Sequence, residues 1–351
     1  VKADAMSSVG HDAGMTDDST TGPVVGFYDI VVVGGGAAGM SAAKIAARSR
    51  RSVLVVDAGS PRNAPAEGVH NYLYAEGKTP TELAAIGRAE AAGYGVEIAA
   101  GVATSAGVTP TPAPGDARFT VTIDGRRRVA ARRLLLATGL VDELPEIPGL
   151  RERWGKDVLH CPFCHGWEVR DQSIGVLSTG PMAAYQTLLF RALSEDVVVF
   201  THTGPAPTDE QREQFAALGV RVVDGEVAAV QTADGRLSAV VMANGRVIER
   251  QAVVVTTGSS ARTDLIDDLG LDMSDLEVAG QVLGRYLSVD PTGATTTAGV
   301  WAAGNLTSPA LQVIDSAAGG AAAGAAMHRN LLDEDTAIAV AAHRRRAAVR
   351  S

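Results

Sequence analysis

Sulfur is scarce in this chain. Among 351 residues there are two cysteines, Cys161 and Cys164. A scaffold stapled by several disulfides is therefore excluded. Long apolar runs are also missing. None approaches the ~20 residues that a membrane-spanning helix needs, and the longest candidate, residues 317–327, is mostly Ala and Gly. Residues 1–25 lack the apolar core of a signal peptide; rich in Gly, Ser, Thr and Asp, they are expected to form a disordered tail. A cytoplasmic protein with no membrane partner is the expectation. Positive charge is in deficit, with 31 Lys and Arg against 40 Asp and Glu. Nucleic acid is then not an expected partner, because phosphate neutralisation needs a basic face. The run His343-Arg344-Arg345-Arg346 reads as a solvated helix end.

What remains is ordinary globular composition, 46% hydrophobic and 20% charged, with length for about two domains. The run at residues 28–33 is apolar and β-branched, as a buried parallel strand should be. Gly34-Gly35-Gly36-Ala37-Ala38-Gly39 follows at once, then a helical stretch over residues 40–50, then a second strand ending on Asp57. This is G-x-G-x-x-G inside a βαβ unit. Gly34 makes the tight turn, Gly36 lets the backbone reach a pyrophosphate, and Gly39 packs helix on strand. The helix N-terminus favours phosphate, and Asp57 suits ribose hydroxyls.

Further along, residues 77–95 read as a helix and residues 96–134 as short strands. Residues 133–139 form a strand closing on Ala137-Thr138-Gly139. A Pro-marked connection at residues 142–149 places a domain junction near residue 141. Residues 173–178 begin a second βαβ pattern. Residues 253–258 echo residues 134–139 and read as the return to the first domain. Residues 299–305, Gly-Val-Trp-Ala-Ala-Gly-Asn, form a strand and turn. Residues 315–330 read as a helix whose small residues permit close approach to a ligand or another backbone.

The cysteines stand in His160-Cys161-Pro162-Phe163-Cys164-His165-Gly166-Trp167-Glu168. In a reducing compartment a Cys-x-x-Cys pair reads as redox or metal chemistry. Zinc is disfavoured, since a four-coordinate site usually draws on two separated ligand pairs and adjacent His and Cys rarely reach one ion. No metal is expected. His160 reads as a structural histidine, Trp167 and Glu168 as packing or capping residues, and Trp301 as core.

Taken in order, the first glycine fingerprint, Ala137-Thr138-Gly139, the Cys-x-x-Cys, Thr256-Thr257-Gly258 and the residue 299–305 motif resemble the FAD-dependent pyridine nucleotide-disulfide oxidoreductases, in their thioredoxin-reductase-like branch. The resemblance spans residues 27–332. It implies an α/β protein of two Rossmann-like, three-layer ββα domains. An FAD-binding domain (residues 26–141 and 255–335) is interrupted by a smaller NAD(P)H-type domain (residues 142–254) carrying the redox pair, with a C-terminal tail over residues 336–351. It implies that Gly34, Gly36, Ala38, Gly39 and Asp57 hold the FAD diphosphate and adenosine ribose. Asn71, Thr138, Gly139, Gly304, Asn305 and Gln312 would complete the FAD site. Asn305 stands where the family usually has Asp, and Leu311 replaces the Arg that precedes Gln312. Cys161 is implied as the interchange thiol and Cys164 as the one beneath the flavin. A homodimer is also implied.

Three departures bear on function. The second glycine turn, Ser178-Thr179-Gly180-Pro181-Met182-Ala183, keeps only Gly180 and Ala183 of G-x-G-x-x-A, and Pro181 removes an N–H. The arginines that match a 2′-phosphate are missing after the next strand, where Thr201-His202-Thr203-Gly204-Pro205 stands. The case for NAD(P)H is weak on both counts. His165 replaces the acid that follows the second cysteine in thioredoxin reductases; an imidazole there can take a thiol proton. These departures resemble the flavin-dependent dithiol oxidases of natural-product pathways. The implied reaction oxidises a dithiol, a small molecule rather than a protein, to a disulfide, with O2 as acceptor and Cys161, Cys164 and His165 as catalytic residues. An NAD(P)H-dependent reductase of thioredoxin or a small disulfide is the rival, and a non-catalytic flavin-binding protein is a third reading.

Overall fold

In the computed structural model, residues 23–262 and 264–350 are described. The expected N-terminal tail lies outside them as far as residue 22. Its last two residues are corrected, because Val24 and Val25 already belong to the first strand, Val24–Val33.

That strand is the centre of a seven-stranded sheet. Val53–Asp57 and Arg127–Leu136 flank it in parallel register, and Glu97–Ala100 and Val300–Ala302 extend the parallel part on either side. Side chains alternate between faces along a strand. Ile30 and Val32 therefore point into a helical layer with Ala42, Ala46, Ala323 and Met327. Val31 and Val33 point into a β layer with Phe119, Val121, Leu134 and Leu287. Helix, parallel sheet and antiparallel β layer make the three-layer Rossmann-like arrangement expected from the sequence.

The inserted domain repeats this plan at smaller size. Five parallel strands run in the order Arg221–Val223, Val197–Phe200, Ile174–Leu177, Ala252–Val255, Val158–Leu159. Helices cover one face, and an antiparallel meander over residues 227–249 covers the other. The strand at Ala252–Val255 therefore belongs to the inserted sheet. The chain returns to the first domain one strand later, at Gly258–Ala261, which pairs with Leu140–Glu143. These two strands form the connection between the domains and continue into a sheet with residues 273–287.

The C-terminal helix differs from expectation. It begins at Val313 and runs to Arg350 instead of ending near Asn330, so residues 336–350 are helix, not a separate tail. Beyond Gly324 the segment holds neither Gly nor Pro, so nothing in it stops a helix. Glu334 and Asp335 also tie that part of the helix to Arg132, Arg133 and Arg51. Two of its small residues approach another backbone, one of the two uses expected of them. A Cβ on Gly320 would lie 2.0 Å from the Ala38 carbonyl oxygen, and one on Gly324 would lie 2.5 Å from that of Ala42. Among the described residues no helix is long and apolar enough to cross a membrane.

Candidate active site

A cleft of about 1030 Å³ lies between the two domains. The first fingerprint forms its floor. Gly34 adopts φ +107°, and a Cβ there would meet the Ala137 carbonyl oxygen at 2.2 Å. A Cβ on Gly39 would sit 1.9 Å from the carbonyl oxygen of Gly34. Both glycines are fixed by the fold. Gly36 is different: a Cβ there would meet nothing within 4 Å, so this glycine faces open cleft. The helix Ala37–Arg48 starts beside it without a side-chain cap on its first N–H groups. Asp57 ends the second strand and accepts from the backbone N–H of Gly35 (3.2 Å) and of Gly59 (3.1 Å), and it pairs with Arg88.

Gly34, Gly36, Ala38, Asp57, Thr138, Gly139, Gly304, Asn305 and Gln312 all line this cleft, and Cys161, Cys164 and His165 line it from the inserted domain. Gly39 lies behind the wall. Asn71 stands at the rim, where its amide donates to the Phe163 carbonyl oxygen and, at 3.4 Å, to Gln312 Oε1. Asn305 Nδ2 donates to the carbonyl oxygen of Leu311 at 2.9 Å, shaping the turn before the C-terminal helix. Thr138 Oγ1 is buried with no hydrogen-bond partner. A buried hydroxyl without a partner carries a real cost. An elongated polar ligand in the cleft would remove it.

Cys161 caps the short helix Pro162–His165, its Sγ accepting from the Cys164 N–H at 3.2 Å. Pro162 suits the first helical position, where its missing N–H costs nothing. The two cysteines are joined as a disulfide with Cα atoms 5.3 Å apart. Phe163 between them is exposed. Among the described residues no group of three or more His, Cys, Asp or Glu side chains is arranged to hold a metal ion.

Two histidines flank the pair. His160 is neutral at physiological pH, its pKa pushed down to about 4 by burial first and then by the Arg62 guanidinium. Gln186 fixes the strand end beside it, donating to the His160 carbonyl oxygen at 3.1 Å and accepting from Thr256 Oγ1 at 2.7 Å. His165 is also held below its ordinary value, mainly by burial and further by His70, while Glu168 works the other way. Its ring hydrogen-bonds the Gly68 backbone, and its Nε2 is buried without a partner. The proton is thus assigned to Nδ1, leaving Nε2 with a free lone pair.

Sequence reasoning did not find Arg62, Arg88 or His70. Arg62 grips Asp142 on the connecting strand with two bonds (2.6 and 2.9 Å) and donates to the Pro309 carbonyl oxygen. All three sit outside any motif, and only the tertiary fold brings them to the cleft.

The family model for pyridine nucleotide-disulphide oxidoreductases matches residues 28–324. The chain belongs to that family. Members typically bind FAD, and the open cradle at Gly36, the acid at Asp57 and the unpartnered Thr138 hydroxyl fit it. Among solved structures, the chain superposes on HlmI with a TM-score of 0.83 at 42% identity, covering 91% of this chain and 97% of that one. It superposes on an oxidoreductase from Agrobacterium tumefaciens with a TM-score of 0.79 at 37% identity, covering 87% and 98%. Among curated relatives, it is 32% identical to thioredoxin reductase tcpT of Claviceps purpurea over 54% of this chain, and spans 60% of that relative's length. It is 28% identical to thioredoxin reductase aclD of Aspergillus oryzae over 79% of this chain and 88% of that one. The chain is an oxidoreductase of the thioredoxin-reductase type.

Proposed function

We propose that this protein is an FAD-dependent dithiol oxidase, converting a small-molecule dithiol to a disulfide through Cys161 and Cys164, with O2 as the electron acceptor. The observation that carries the oxidase direction is the second glycine turn. Ser178 is buried, and its carbonyl oxygen accepts the Gly204 N–H at 2.8 Å, so the loop where an adenosine ribose would lie is folded onto the turn. Gly180 faces the first domain: a Cβ there would lie 3.6 Å from Gln281 Oε1 and 3.8 Å from Leu283 Cδ2. The turn is thus in contact with the first domain, and no arginine stands at residues 201–205, after the next strand, to attract a second dinucleotide.

The chain's own residues carry the exchange. A substrate thiol gives its proton to His165 Nε2, and the thiolate attacks Cys161 Sγ. The Cys161–Cys164 bond breaks, its electron pair passing to Cys164 Sγ. His165 passes its proton to the Cys164 thiolate and takes that of the second substrate thiol, whose thiolate attacks the substrate sulfur of this mixed disulfide and expels Cys161, which receives that second proton. The substrate leaves as a disulfide, two electrons poorer, and the protein holds a dithiol. FAD, when bound by the first fingerprint, supplies a two-electron acceptor for that dithiol which O2 can reoxidise, giving hydrogen peroxide. Asn71 and Gln312 link the redox helix to the flavin side of the cleft. A homodimer in the cytoplasm is part of the same reading.

The test is flavin absorbance of the FAD-loaded protein without oxygen. Excess dithiothreitol should bleach it, NADPH should not, and air should restore the colour with release of peroxide. Rapid bleaching by NADPH would mean a reductase. Bleaching by neither would leave a flavoprotein whose cysteines do not exchange electrons with its flavin. Cys161→Ser should abolish bleaching by dithiol, and so should Cys164→Ser, whose remaining Cys161 thiol should form a mixed disulfide when offered a small disulfide such as 2-hydroxyethyl disulfide.

A further inference from the structure

One titratable cluster beside the disulfide has no part in the exchange just described. His70 lies on the loop preceding Asn71. Its Nδ1 is 2.5 Å from Glu76 Oε1, and its Nε2 is 3.5 Å from Glu168 Oε1. Carboxylates only accept, so a ring facing one at each nitrogen is fully satisfied when both nitrogens carry protons. The same ring approaches His165 edge to face, with centroids 6.3 Å apart. That separation is too long for direct proton transfer. It is short enough for a charge to be felt.

We propose that His70, held between Glu76 and Glu168, is a positioning residue that sets how readily His165 takes the proton of the incoming thiol. The inference rests on the reading of His165 as the base in thiol–disulfide exchange. Where the two carboxylates hold His70 as a cation, a proton arriving on His165 meets both that cation and the carboxylate of Glu168. The first opposes its arrival and the second favours it, in line with their opposite effects on His165. The titratable groups acting on His165 are His70 and Glu168, and His165 in turn acts on His160. Those facing His70 are Glu76, Glu168 and His165. Glu76 also accepts the Asn71 N–H at 3.1 Å. The cluster therefore holds the loop that contacts the redox helix as well as the charge beside the base.

The arrangement predicts opposite effects from neighbouring changes, which a merely structural role would not produce. His70→Gln removes the cation, so His165 should hold its proton to higher pH. The acid limb of anaerobic flavin bleaching by dithiothreitol should move up by about half a pH unit or more. Glu168→Gln removes the anion, and the limb should move down. The imidazole titration of His165, followed by NMR in the oxidised protein, should move in the same two directions. Shifts of one sign in both variants, or unmoved limbs with lower rates, would overturn the inference. A wild-type protein that dithiothreitol fails to bleach would instead overturn the oxidase reading, while the NMR titration would still decide the role of His70. Glu168 is exposed, so its variant should fold even where His70→Gln does not.

Discussion

Asn71 donates its side-chain amide to the main-chain carbonyl of Phe163, the second of the two residues separating the cysteines. One hydrogen bond thus joins a loop of the first domain to the redox helix of the second. Asn71 holds φ +60°, a left-handed conformation that Asn tolerates better than most residues. Replacing it with Ala removes the bond and leaves a less suitable residue in a strained position. Asn71→Ala, loaded to saturation with FAD, should be bleached by dithiol about 10- to 100-fold more slowly, as small misplacements of reacting groups commonly cost. Stopped-flow flavin reduction, with the flavin-to-protein absorbance ratio as control, measures this. An unchanged rate would mean that the redox helix is positioned without it.

The fingerprint glycines separate binding from folding. Gly36 has φ −75° and faces open space, so Gly36→Ala should fold like the parent, within about 0.5 kcal/mol. Its methyl group would occupy the approach to the diphosphate, so the variant should purify with much less flavin. Gly39→Ala forces a methyl into the Gly34 carbonyl and should cost about 1–3 kcal/mol of stability. Urea unfolding of the flavin-stripped proteins tells the two apart, because only the second change acts without the ligand.

The open position of Gly36 and the close packing at Gly39 were legible in the sequence because each is local: a strand, a turn and a helix in register define them. The two Rossmann-like domains were legible for the same reason. The closure of the second turn was legible only in part. The missing glycine at Ser178 could be read directly, but the Gly204–Ser178 bond depends on a loop conformation that no motif announces. Arg62, Arg88 and His70 were not legible, since each gains its meaning from a partner distant in the chain. The end of the C-terminal helix was misjudged because its small residues finish near Gly324. What continues the helix is ordinary helix propensity together with ion pairs to Arg132 and Arg133 on a strand some two hundred residues earlier.

That helix extension has a testable anchor. Arg133 is buried, its side chain 5% exposed, and its guanidinium lies 2.6 Å from Glu334, itself 12% exposed. Burial alone would lower its pKa, and Glu334 is the main group holding the charge. Removing one partner from a buried pair leaves the other uncompensated. Glu334→Ala should destabilise the protein by about 3 kcal/mol, and Glu334→Gln by less, since an amide can still accept. Calorimetry or urea unfolding measures both. Equal, negligible effects would show that water relieves Arg133 instead.

His160 makes stability depend on pH with a defined sign. In the unfolded chain its imidazole titrates near the ordinary value of 6.5, but in the folded protein only near about 4. Between these values the unfolded chain binds a proton that the folded chain refuses, so acid favours unfolding. The stability due to neutral His160 is complete above about pH 6.5 and is lost progressively down to about pH 4, to a total of about 3 kcal/mol. His160→Gln places a neutral side chain there that never titrates. Relative to the parent, the variant should therefore gain stability as pH falls through that window. His165 and His202, which are also pushed down chiefly by burial, remain in both proteins and cancel from the comparison. Unfolding free energies at pH 7, 5.5 and 4.5 suffice. Curves that stay parallel would mean that His160 accepts a proton inside the folded protein. The neighbouring Asp142 carboxylate, which already pulls in that direction, would then outweigh burial and the Arg62 cation.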